Sequence, residues 1–265
     1  MPFPLVTVTT DFGTSDHYVG VMKGVILSRC PEARIVDISN EIPCFSLVAA
    51  AYSIEQAALY FPPGTIHLLV VDPGVGSSRR ALLVEALHQF FVAPDNGCLS
   101  LILARDSRAR VRQLTNPGLW LANPSSTFHG RDLFAPTAAL LAARSILPEE
   151  VGDIVNDPVI LPELQARQNT SRTWQGTVLS VDHFGNVISN FPAEPLREAL
   201  LSGFALEGGA APVRELRSSF AGAPPGLCFA YWGSSNYLEI GVNQASAAQV
   251  LALRPGNPLL LRLLG

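Results

Sequence analysis

Hydrophobic positions in the first half of the chain recur with the spacing of strands and helices in turn. The β-branched run from Leu5 to Thr9 predicts a strand, and the apolar positions between His17 and Leu27 predict a helix with one buried face. The same reading predicts strands at residues 34–38 and 66–71, with a helix at residues 47–60 between them. Because strands and helices alternate, we expect a parallel sheet covered by helices on both faces.

The pattern changes in the second half. After two further strands and a helix, at residues 81–85, 89–92 and 133–143, a stretch rich in proline and polar residues at 148–172 predicts a linker. Beyond it the apolar runs are short and strand-like, at residues 176–181, 187–190, 227–232, 237–242 and 258–263. The sequence therefore predicts an α/β protein with two domains. An N-terminal α/β domain with a mainly parallel sheet spans residues 1–165, and a smaller, mainly β C-terminal domain spans residues 173–265.

The composition and net charge of the chain indicate what kind of molecule it binds. Hydrophobic residues make up 48% of the 265 positions and charged residues 15%, so the chain is expected to fold around a substantial core. The formal charge is -4, without a block of like charges. We therefore expect a small-molecule ligand rather than a nucleic acid or an acidic membrane surface.

The cysteines and the first residues of the chain indicate the cellular compartment. Cys30, Cys44, Cys98 and Cys228 form no Cys-x-x-Cys pair, and they predict buried thiols in a reducing compartment. The start, Met1 to Pro4, lacks the basic region and apolar core of a signal peptide. No apolar run approaches the ~20 residues of a membrane helix. We expect a cytoplasmic protein.

Polar side chains follow each of the first three predicted strands. Asp11 and Asp16 come after the first strand, Asn40 and Glu41 after the second, and Asp72 after the third. Open α/β sheets bind ligands at the carboxyl ends of their strands, and carboxylates there suit a ligand with hydroxyls, an amine or a cationic centre. The alternative is that these aspartates belong to turns and bind their own backbone.

Basic candidates lie close to these carboxylates in sequence. Arg79 and Arg80 follow the Asp72 turn, and they are either solvated surface charges or an anion clamp. His129 precedes a helical run in which Asp132 is the candidate N-cap, so this histidine is either structural or catalytic. The histidines show none of the spacings of a metal site, and we expect no bound metal.

Two polar loops stand out in the second domain. The segment from Asp182 to Asn186 is either a hairpin loop, or a loop in which Asn186 offers a donor and an acceptor to the edge of an adenine. Ser234 and Ser235 belong to another polar loop, whose hydroxyls would also suit a carboxylate.

Five segments, taken in order, closely resemble one enzyme family. They are Thr-Asp-Phe-Gly-x-x-Asp-x-Tyr-Val-Gly-x-Met-Lys-Gly at Thr10–Gly24, Val-Asp-Pro-Gly-Val-Gly at Val71–Gly76, Ala-Pro-Asp-Asn-Gly at Ala93–Gly97, Phe-His-Gly-Arg-Asp at Phe128–Asp132, and Asp-x-Phe-Gly-Asn at Asp182–Asn186. Together they resemble the S-adenosylmethionine hydroxide adenosyltransferases, the adenosine-forming S-adenosylmethionine hydrolases.

The resemblance covers nearly the whole chain. It implies hydrolysis of S-adenosyl-L-methionine at C5′ by activated water, giving adenosine and L-methionine, without a cofactor. It also implies a homotrimer whose active sites lie between neighbouring subunits.

The resemblance implies a role for each candidate residue. Asp72, Arg79 and His129 match the residues that position and activate water. The choice of Arg79 rests on the motif spacing, and the adjacent Arg80 stays an alternative. The substrate-binding positions are Asp11 for the ribose hydroxyls, Asp16 and Asp182 for the methionine amine, Asn186 for the adenine, and Ser234 with Ser235 for the methionine end.

Three other functions are alternatives. A non-catalytic sensor of S-adenosylmethionine or adenosine would need the binding residues without Asp72, Arg79 and His129. The fluorinating and chlorinating relatives have tyrosines at the positions of Asp72 and His129 and a halide-holding serine at that of Gly130. A carboxylate facing the nucleophile would repel a halide and accept a proton from water, which favours water here. A metal-dependent phosphoesterase would need ligand spacings that the sequence does not show.

Overall fold

A computed structural model describes residues 4–264, and these divide into two units between Leu161 and Pro162. The first three residues, on which the expectation about a signal peptide partly rests, lie outside the described residues. Each unit contains its own sheet and its own hydrophobic core.

Residues 4–161 contain a six-stranded sheet in the order β2-β1-β3-β5-β4-β6. Strands β2, β1, β3 and β5 are parallel to one another, and β4 is antiparallel to both β5 and β6. The strands are β1 (Leu5–Thr10), β2 (Arg34–Ser39), β3 (Ile66–Val70), β4 (Ala81–Ala86), β5 (Gln89–Pro94) and β6 (Arg110–Gln113). The predicted α/β class and mainly parallel sheet are confirmed.

Helices cover both faces of this sheet because both faces carry apolar side chains. The helices are α1 (Tyr18–Arg29), α2 (Leu47–Ala58), α3 (Ser100–Arg105) and α4 (Ala135–Ala142). Helices α1 and α4 pack on the face that carries Val8 and Leu68, and α2 and α3 pack on the face that carries Leu69 and Phe91. Successive residues of a strand point to opposite faces, so the fully buried β3 serves both layers.

Successive strands are added on opposite sides of β1, so the winding of the chain changes direction between β1 and β3. From β1 the chain passes through α1 to β2 on one side, and then through α2 to β3 on the other side of β1. In open α/β sheets such a reversal leaves a crevice at the carboxyl ends of the two central strands. Asp11 directly follows β1 and Asp72 lies two residues after β3, so both are at this crevice.

The helix predicted at residues 133–143 is preceded by an irregular turn. A π-helical turn spans Gly130–Phe134, and α4 follows it directly. Asp132 lies inside this turn, so its prediction as an N-cap is wrong. Its carboxylate accepts hydrogen bonds from the Ser125 N–H at 2.7 Å and from the Arg131 Nε at 2.6 Å. Although burial opposes it, these bonds lower the pKa of Asp132 below its usual value.

Residues 162–264 form a seven-stranded antiparallel sheet in the order β10-β13-β8-β9-β12-β11, with β7 paired to β8. Its elements are β7 (Arg167–Thr170), β8 (Thr173–Val181), β9 (Val187–Pro192), α5 (Ala193–Ala199), β10 (Phe204–Glu207), β11 (Cys228–Trp232), β12 (Tyr237–Val242), α6 (Ala247–Leu251) and β13 (Pro258–Leu263). Phe191, Phe204 and Phe229 are fully buried in it. The predicted mainly β class of the C-terminal domain is confirmed.

The stretch predicted as a linker is more ordered than its composition indicates. Within it, Val155 N–H donates to Val111 O, and Gln113 N–H donates to Asp153 O, so residues 153–155 pair with β6. Its last part forms β7 against β8. Backbone pairing with a neighbouring strand satisfies polar groups that would otherwise need water, which explains the difference from the prediction.

The cysteines are free thiols that differ in burial. Cys30 and Cys98 are buried, Cys228 is half-buried, and Cys44 is exposed in the loop after β2. The prediction of buried thiols is therefore wrong for Cys44. In the part of the chain that the structure describes, no helix has the length and apolar character needed to cross a membrane.

His67 is a buried histidine at the centre of the N-terminal sheet. Thr7 Oγ1 lies 2.7 Å from its Nδ1, and Gln89 Oε1 lies 3.1 Å from its Nε2. Because the amide oxygen can only accept, Nε2 carries the proton and the Thr7 hydroxyl donates to Nδ1. The ring also stacks on Phe91 with centroids 4.8 Å apart. Burial lowers the pKa of His67 from 6.5 to about 4.

We expect His67 to weaken the fold as the pH falls from 6.5 towards 4. In this window the unfolded chain binds a proton that the buried neutral ring does not. The free energy of unfolding therefore falls by up to about 1.4 kcal/mol per pH unit from this group. Urea denaturation at several pH values measures the slope, which should be shallower in His67→Phe. The exposed His183→Gln should keep the wild-type slope, and an unchanged slope in His67→Phe would contradict this assignment.

Candidate active site

The loop after β3 folds back so that an arginine meets the aspartate that begins it. Within the loop, Val75 N–H donates to Asp72 O, and the Ser77 hydroxyl donates to Gly74 O and accepts from Arg79 N–H. Arg79 Nε lies 3.0 and 3.1 Å from the two Asp72 carboxylate oxygens, and its Nη2 also donates to Oδ2. The side chains of Asp72 and Arg79 are only 5% and 9% exposed. They form a buried, charge-assisted pair with several hydrogen bonds.

Arg79 also binds His129. Its Nη2 donates to His129 Nδ1 at 2.8 Å. Since arginine has donors only, Nδ1 accepts, and the proton of the neutral ring lies on Nε2. Burial and the positive charge of Arg79 lower the pKa of His129 below 6.5. His129 is therefore a neutral ring that offers Nε2–H as a donor.

Two glycines allow the loops of this site to approach closely. Gly76 has φ +79°, and a Cβ there would lie 2.6 Å from Ser126 O, so a side chain would push the 72–79 loop away from the 125–129 loop. Gly130 follows His129, and a Cβ there would lie 3.1 Å from Met22 Sδ. The backbone at His129 is thus held directly against α1.

Arg80 is used elsewhere. Its Nε donates to Asp95 Oδ2 at 2.6 Å, and its Nη1 donates to Asp157 Oδ1 at 2.6 Å. The other Asp95 oxygen accepts from Val159 N–H at 2.8 Å. Arg80 therefore ties residues 157–159 to the end of β5, and the arginine in contact with Asp72 is Arg79.

The carboxylates after β1 differ in their surroundings. Asp11 Oδ2 accepts a hydrogen bond from Phe45 N–H at 2.8 Å, so it binds the backbone of another loop rather than its own turn. Phe45 has φ +65° and is 70% exposed, an unusual state for an aromatic residue. Asp16 is exposed in the segment before α1. Sequence reasoning did not single out Phe45, because no local pattern marks a residue whose N–H binds a distant carboxylate.

In the C-terminal unit, Asp182 and Asn186 are bonded to each other. Asp182 Oδ1 accepts from the N–H groups of Phe184 and Asn186 at 2.9 and 2.8 Å, and Oδ2 accepts from Asn186 Nδ2 at 2.7 Å. The turn interpretation of this loop is therefore correct for Asp182. It also fixes the orientation of the Asn186 amide, whose carbonyl points away from the carboxylate.

Asn186 borders a cavity of about 620 Å³ in this unit. The cavity is lined by apolar and aromatic groups with a few polar ones: Phe184, Asn186, Phe220, Val242, Gln244, Ala245 and Ser246. Such a lining suits a flat heteroaromatic ring whose edge carries hydrogen-bonding groups.

The serine loop lies beside a buried glutamate. Ser234 is exposed, and the Ser235 hydroxyl donates to Glu239 Oε1 at 3.3 Å, while the Tyr231 hydroxyl donates to Oε2 at 2.7 Å. Burial raises the pKa of Glu239, and the nearby Asp182 charge adds to this shift. Glu239 was not predicted from the sequence as a site residue, although an acidic residue inside the apolar strand β12 indicates a buried polar contact.

The structure thus joins Asp72 and His129 through Arg79, which contacts both, and Asp11 lies at the end of the neighbouring strand. Asp182 and Asn186 are joined in the other unit, and Ser235 is held by Glu239. Among residues 4–264, no group of three or more His, Cys, Asp or Glu side chains is placed to hold a metal ion.

Two domain models of one protein family match this chain. They are described as the SAM hydroxide adenosyltransferase N-terminal domain, over residues 6–152, and C-terminal domain, over residues 176–260.

The chain is 40% identical over 263 residues to the (R)-S-adenosyl-L-methionine hydrolase of Thermus thermophilus, with 95% of this chain and 97% of the relative covered. It is 35% identical to the protein of the same name from Salinispora arenicola, with 97% of each covered. A fluorinase of Nocardia brasiliensis is 28% identical over 96% of this chain and 95% of its own.

Solved structures show the same fold. An uncharacterized conserved protein from Thermotoga maritima superposes with a TM-score of 0.87 at 35% identity, over 97% of this chain and 99% of its own. A conserved hypothetical protein from Thermus thermophilus has a TM-score of 0.77 at 37% identity, over 98% and 99% of the two chains.

We expect the pKa of His129 to rise in Arg79→Gln. This substitution removes the positive charge that disfavours a protonated ring and leaves the Asp72 carboxylate, which favours it. Titration of the histidine ring signals by NMR measures the change. Arg80→Gln is the matched control, because Arg80 binds Asp95 and Asp157 and should leave the His129 pKa unchanged. A His129 pKa that is equal in wild type and Arg79→Gln would show that the Arg79–His129 contact is absent in solution.

Proposed function

The chain belongs to the S-adenosylmethionine hydroxide adenosyltransferase family, and from this premise we propose that it hydrolyses S-adenosyl-L-methionine at C5′ to adenosine and L-methionine. The observation that carries the proposal is the contact of Asp72, Arg79 and His129 at the crevice between β1 and β3. A carboxylate, a guanidinium and a neutral imidazole in contact can orient a water molecule and stabilise the charge that it acquires.

The reaction exchanges one bond at C5′ for another. The oxygen of water forms a bond to C5′, and the electron pair of the C5′–S bond goes to sulfur, which leaves as the neutral thioether of methionine. No general acid is needed at the sulfur, because a sulfonium leaves without protonation. Bulk water has a pKa of ~15.7, so the enzyme must act on the nucleophile.

The bonding around His129 supports one assignment of the proton transfer. With Nδ1 accepting from Arg79 and Nε2 already protonated, the ring can donate to the water oxygen but has no site to take its proton. In this arrangement Asp72 is the base, and Arg79 orients it and stabilises the hydroxide-like charge that develops. His129 then aligns the water for in-line attack, which supplies the orientation part of catalysis.

The substrate-binding roles follow the family resemblance and the contacts found here. Asp11 holds the ribose hydroxyls, Asn186 reads the adenine in its cavity, and the methionine end is bound by four residues: Asp16, Asp182, Ser234 and Ser235. The proposed assembly is a homotrimer with active sites between neighbouring subunits. The proposal needs no cofactor and no macromolecular partner, and it keeps the expected cytoplasmic location.

Water rather than halide is the proposed nucleophile, despite the similarity to a fluorinase. The proposed base Asp72 takes up a proton from the nucleophile, and water supplies that proton whereas a halide ion does not. At Gly130 a Cβ would lie 3.1 Å from Met22 Sδ and 3.4 Å from Val70 Cγ1, so a halide-holding serine would require its surroundings to shift.

Hydrolysis in water enriched in ¹⁸O tests the proposal. The heavy oxygen should enter the 5′ hydroxyl of adenosine, while methionine is released without it, because sulfur leaves with its amino-acid arm intact. Mass analysis of the products measures this. Methylthioadenosine, S-adenosylhomocysteine or a 5′-halonucleoside as the main product would each overturn the proposed reaction, and unchanged substrate would favour a sensor.

Substitutions should separate chemistry from binding. We expect Asp72→Asn and His129→Gln to lower kcat roughly a hundredfold or more, the usual scale for a general base or an oriented donor, while affinity changes little. Asn186→Ala should show the opposite balance, with weaker binding and a smaller effect on kcat. Calorimetric titration and initial rates measure the two quantities. Equal losses of affinity and kcat in Asp72→Asn and His129→Gln would identify these residues as ligand-binding groups instead.

A further inference from the structure

Three aromatic side chains of the N-terminal unit meet at a cavity of about 380 Å³. Phe12, Tyr18 and Phe128, here named the aromatic corner, have ring centroids 5.2–6.1 Å apart and interplanar angles of 61–89°. Three rings at steep angles to one another form the walls of a corner. Ser125, Thr127, Arg131 and His17 complete the lining of the cavity.

The aromatic corner belongs to the same loops as the candidate active site. Phe12 directly follows Asp11, and Phe128 directly precedes His129. Tyr18 begins α1 two residues after Asp16. The cavity is therefore lined by the chain neighbours of the proposed ribose ligand Asp11 and of the proposed water ligand His129. The sulfur of S-adenosylmethionine is bonded directly to C5′, so it must sit close to both.

We propose that the aromatic corner recognises the sulfonium of the substrate and distinguishes it from neutral thioethers; this inference rests on the proposed function. A sulfonium cannot donate a hydrogen bond, and aromatic faces attract a weakly hydrated cation through their quadrupoles. The Phe128 ring already faces a cation, since the Arg131 guanidinium lies 5.0 Å from its centroid.

Arg131 does not place an unbalanced positive charge at this cavity. Its Nε and Nη2 donate to the two Asp132 oxygens at 2.6 and 2.9 Å, so the pair is neutral overall. The sulfonium of the substrate can therefore lie against the rings without strong repulsion from Arg131. Ser125 and Thr127 add hydroxyls at its rim.

The proposed contact acts on binding more than on rate. The sulfonium loses its charge as the C5′–S bond breaks, so cation–π attraction is stronger in the ground state than in the transition state. An interaction of this kind lowers KM without raising kcat. It also weakens once methionine has become a neutral thioether, which favours product release.

Two non-hydrolysed analogues test the inference by calorimetry. Sinefungin carries an ammonium-bearing carbon in place of the methylated sulfur, and S-adenosylhomocysteine carries a neutral thioether. Replacing a ring by leucine, in Tyr18→Leu and Phe12→Leu, should reduce the affinity ratio of sinefungin to S-adenosylhomocysteine by about three- to tenfold. Tyr18→Phe keeps the ring and should keep the ratio. Tyr60→Leu, at an aromatic residue that is 83% exposed beyond α2, should also leave it unchanged.

Kinetics with S-adenosylmethionine separate the outcomes. Tyr18→Leu should raise KM and should not lower kcat, whereas a defect in the reaction centre would lower kcat. Equal loss of affinity for both analogues would overturn the inference and give the corner a purely steric role. The proposed function fails separately, if the wild-type protein releases no adenosine from S-adenosylmethionine.

Discussion

The ion pair between Asp72 and Arg79 is the interaction on which the site depends. Both side chains are almost fully buried, so removal of either would leave an uncompensated charge in a poorly hydrated place. The pair also sets the state of its neighbour, because the guanidinium that binds Asp72 donates to His129 and thereby puts the histidine proton on Nε2. One arginine thus orients the carboxylate and selects the tautomer of the imidazole.

Several proposed substrate ligands also hold the backbone of their own surroundings. Asp11 binds Phe45 N–H, and Asp182 binds the N–H groups of Phe184 and Asn186. A carboxylate fixed in this way loses little conformational freedom when a ligand arrives, and its free oxygen lone pairs point in a defined direction. The turn interpretation and the functional interpretation of these aspartates are therefore compatible.

The charges around the proposed reaction centre match a substrate that begins as a cation and ends neutral. In the proposed reaction, aromatic rings and carboxylates would attract the sulfonium, and Arg79 would stabilise the negative charge that develops on the attacking oxygen. The glycine at position 130 brings the backbone of His129 against α1 and β3, which leaves little space for the side chain that a halide site would need. Close packing thus supports the choice of nucleophile.

The sequence by itself determined most of the strands, the helices α1, α2 and α4, and the edge of the sheet at which the chemistry is proposed. The strands β6, β7 and β10 and the short helices α3, α5 and α6 were not predicted. Apolar periodicity is local, and the carboxyl ends of parallel strands must meet, so Asp11 and Asp72 were expected together. Only the tertiary structure showed the different partners of Arg79 and Arg80, because both follow the same turn and the folded chain brings His129 to the first and Asp157 to the second. The N-cap prediction for Asp132 was wrong because its carboxylate binds the backbone of the Ser125 loop instead of capping a helix. Glu239 was not predicted as a buried acid, because its partner Tyr231 becomes a neighbour only when the two strands pair.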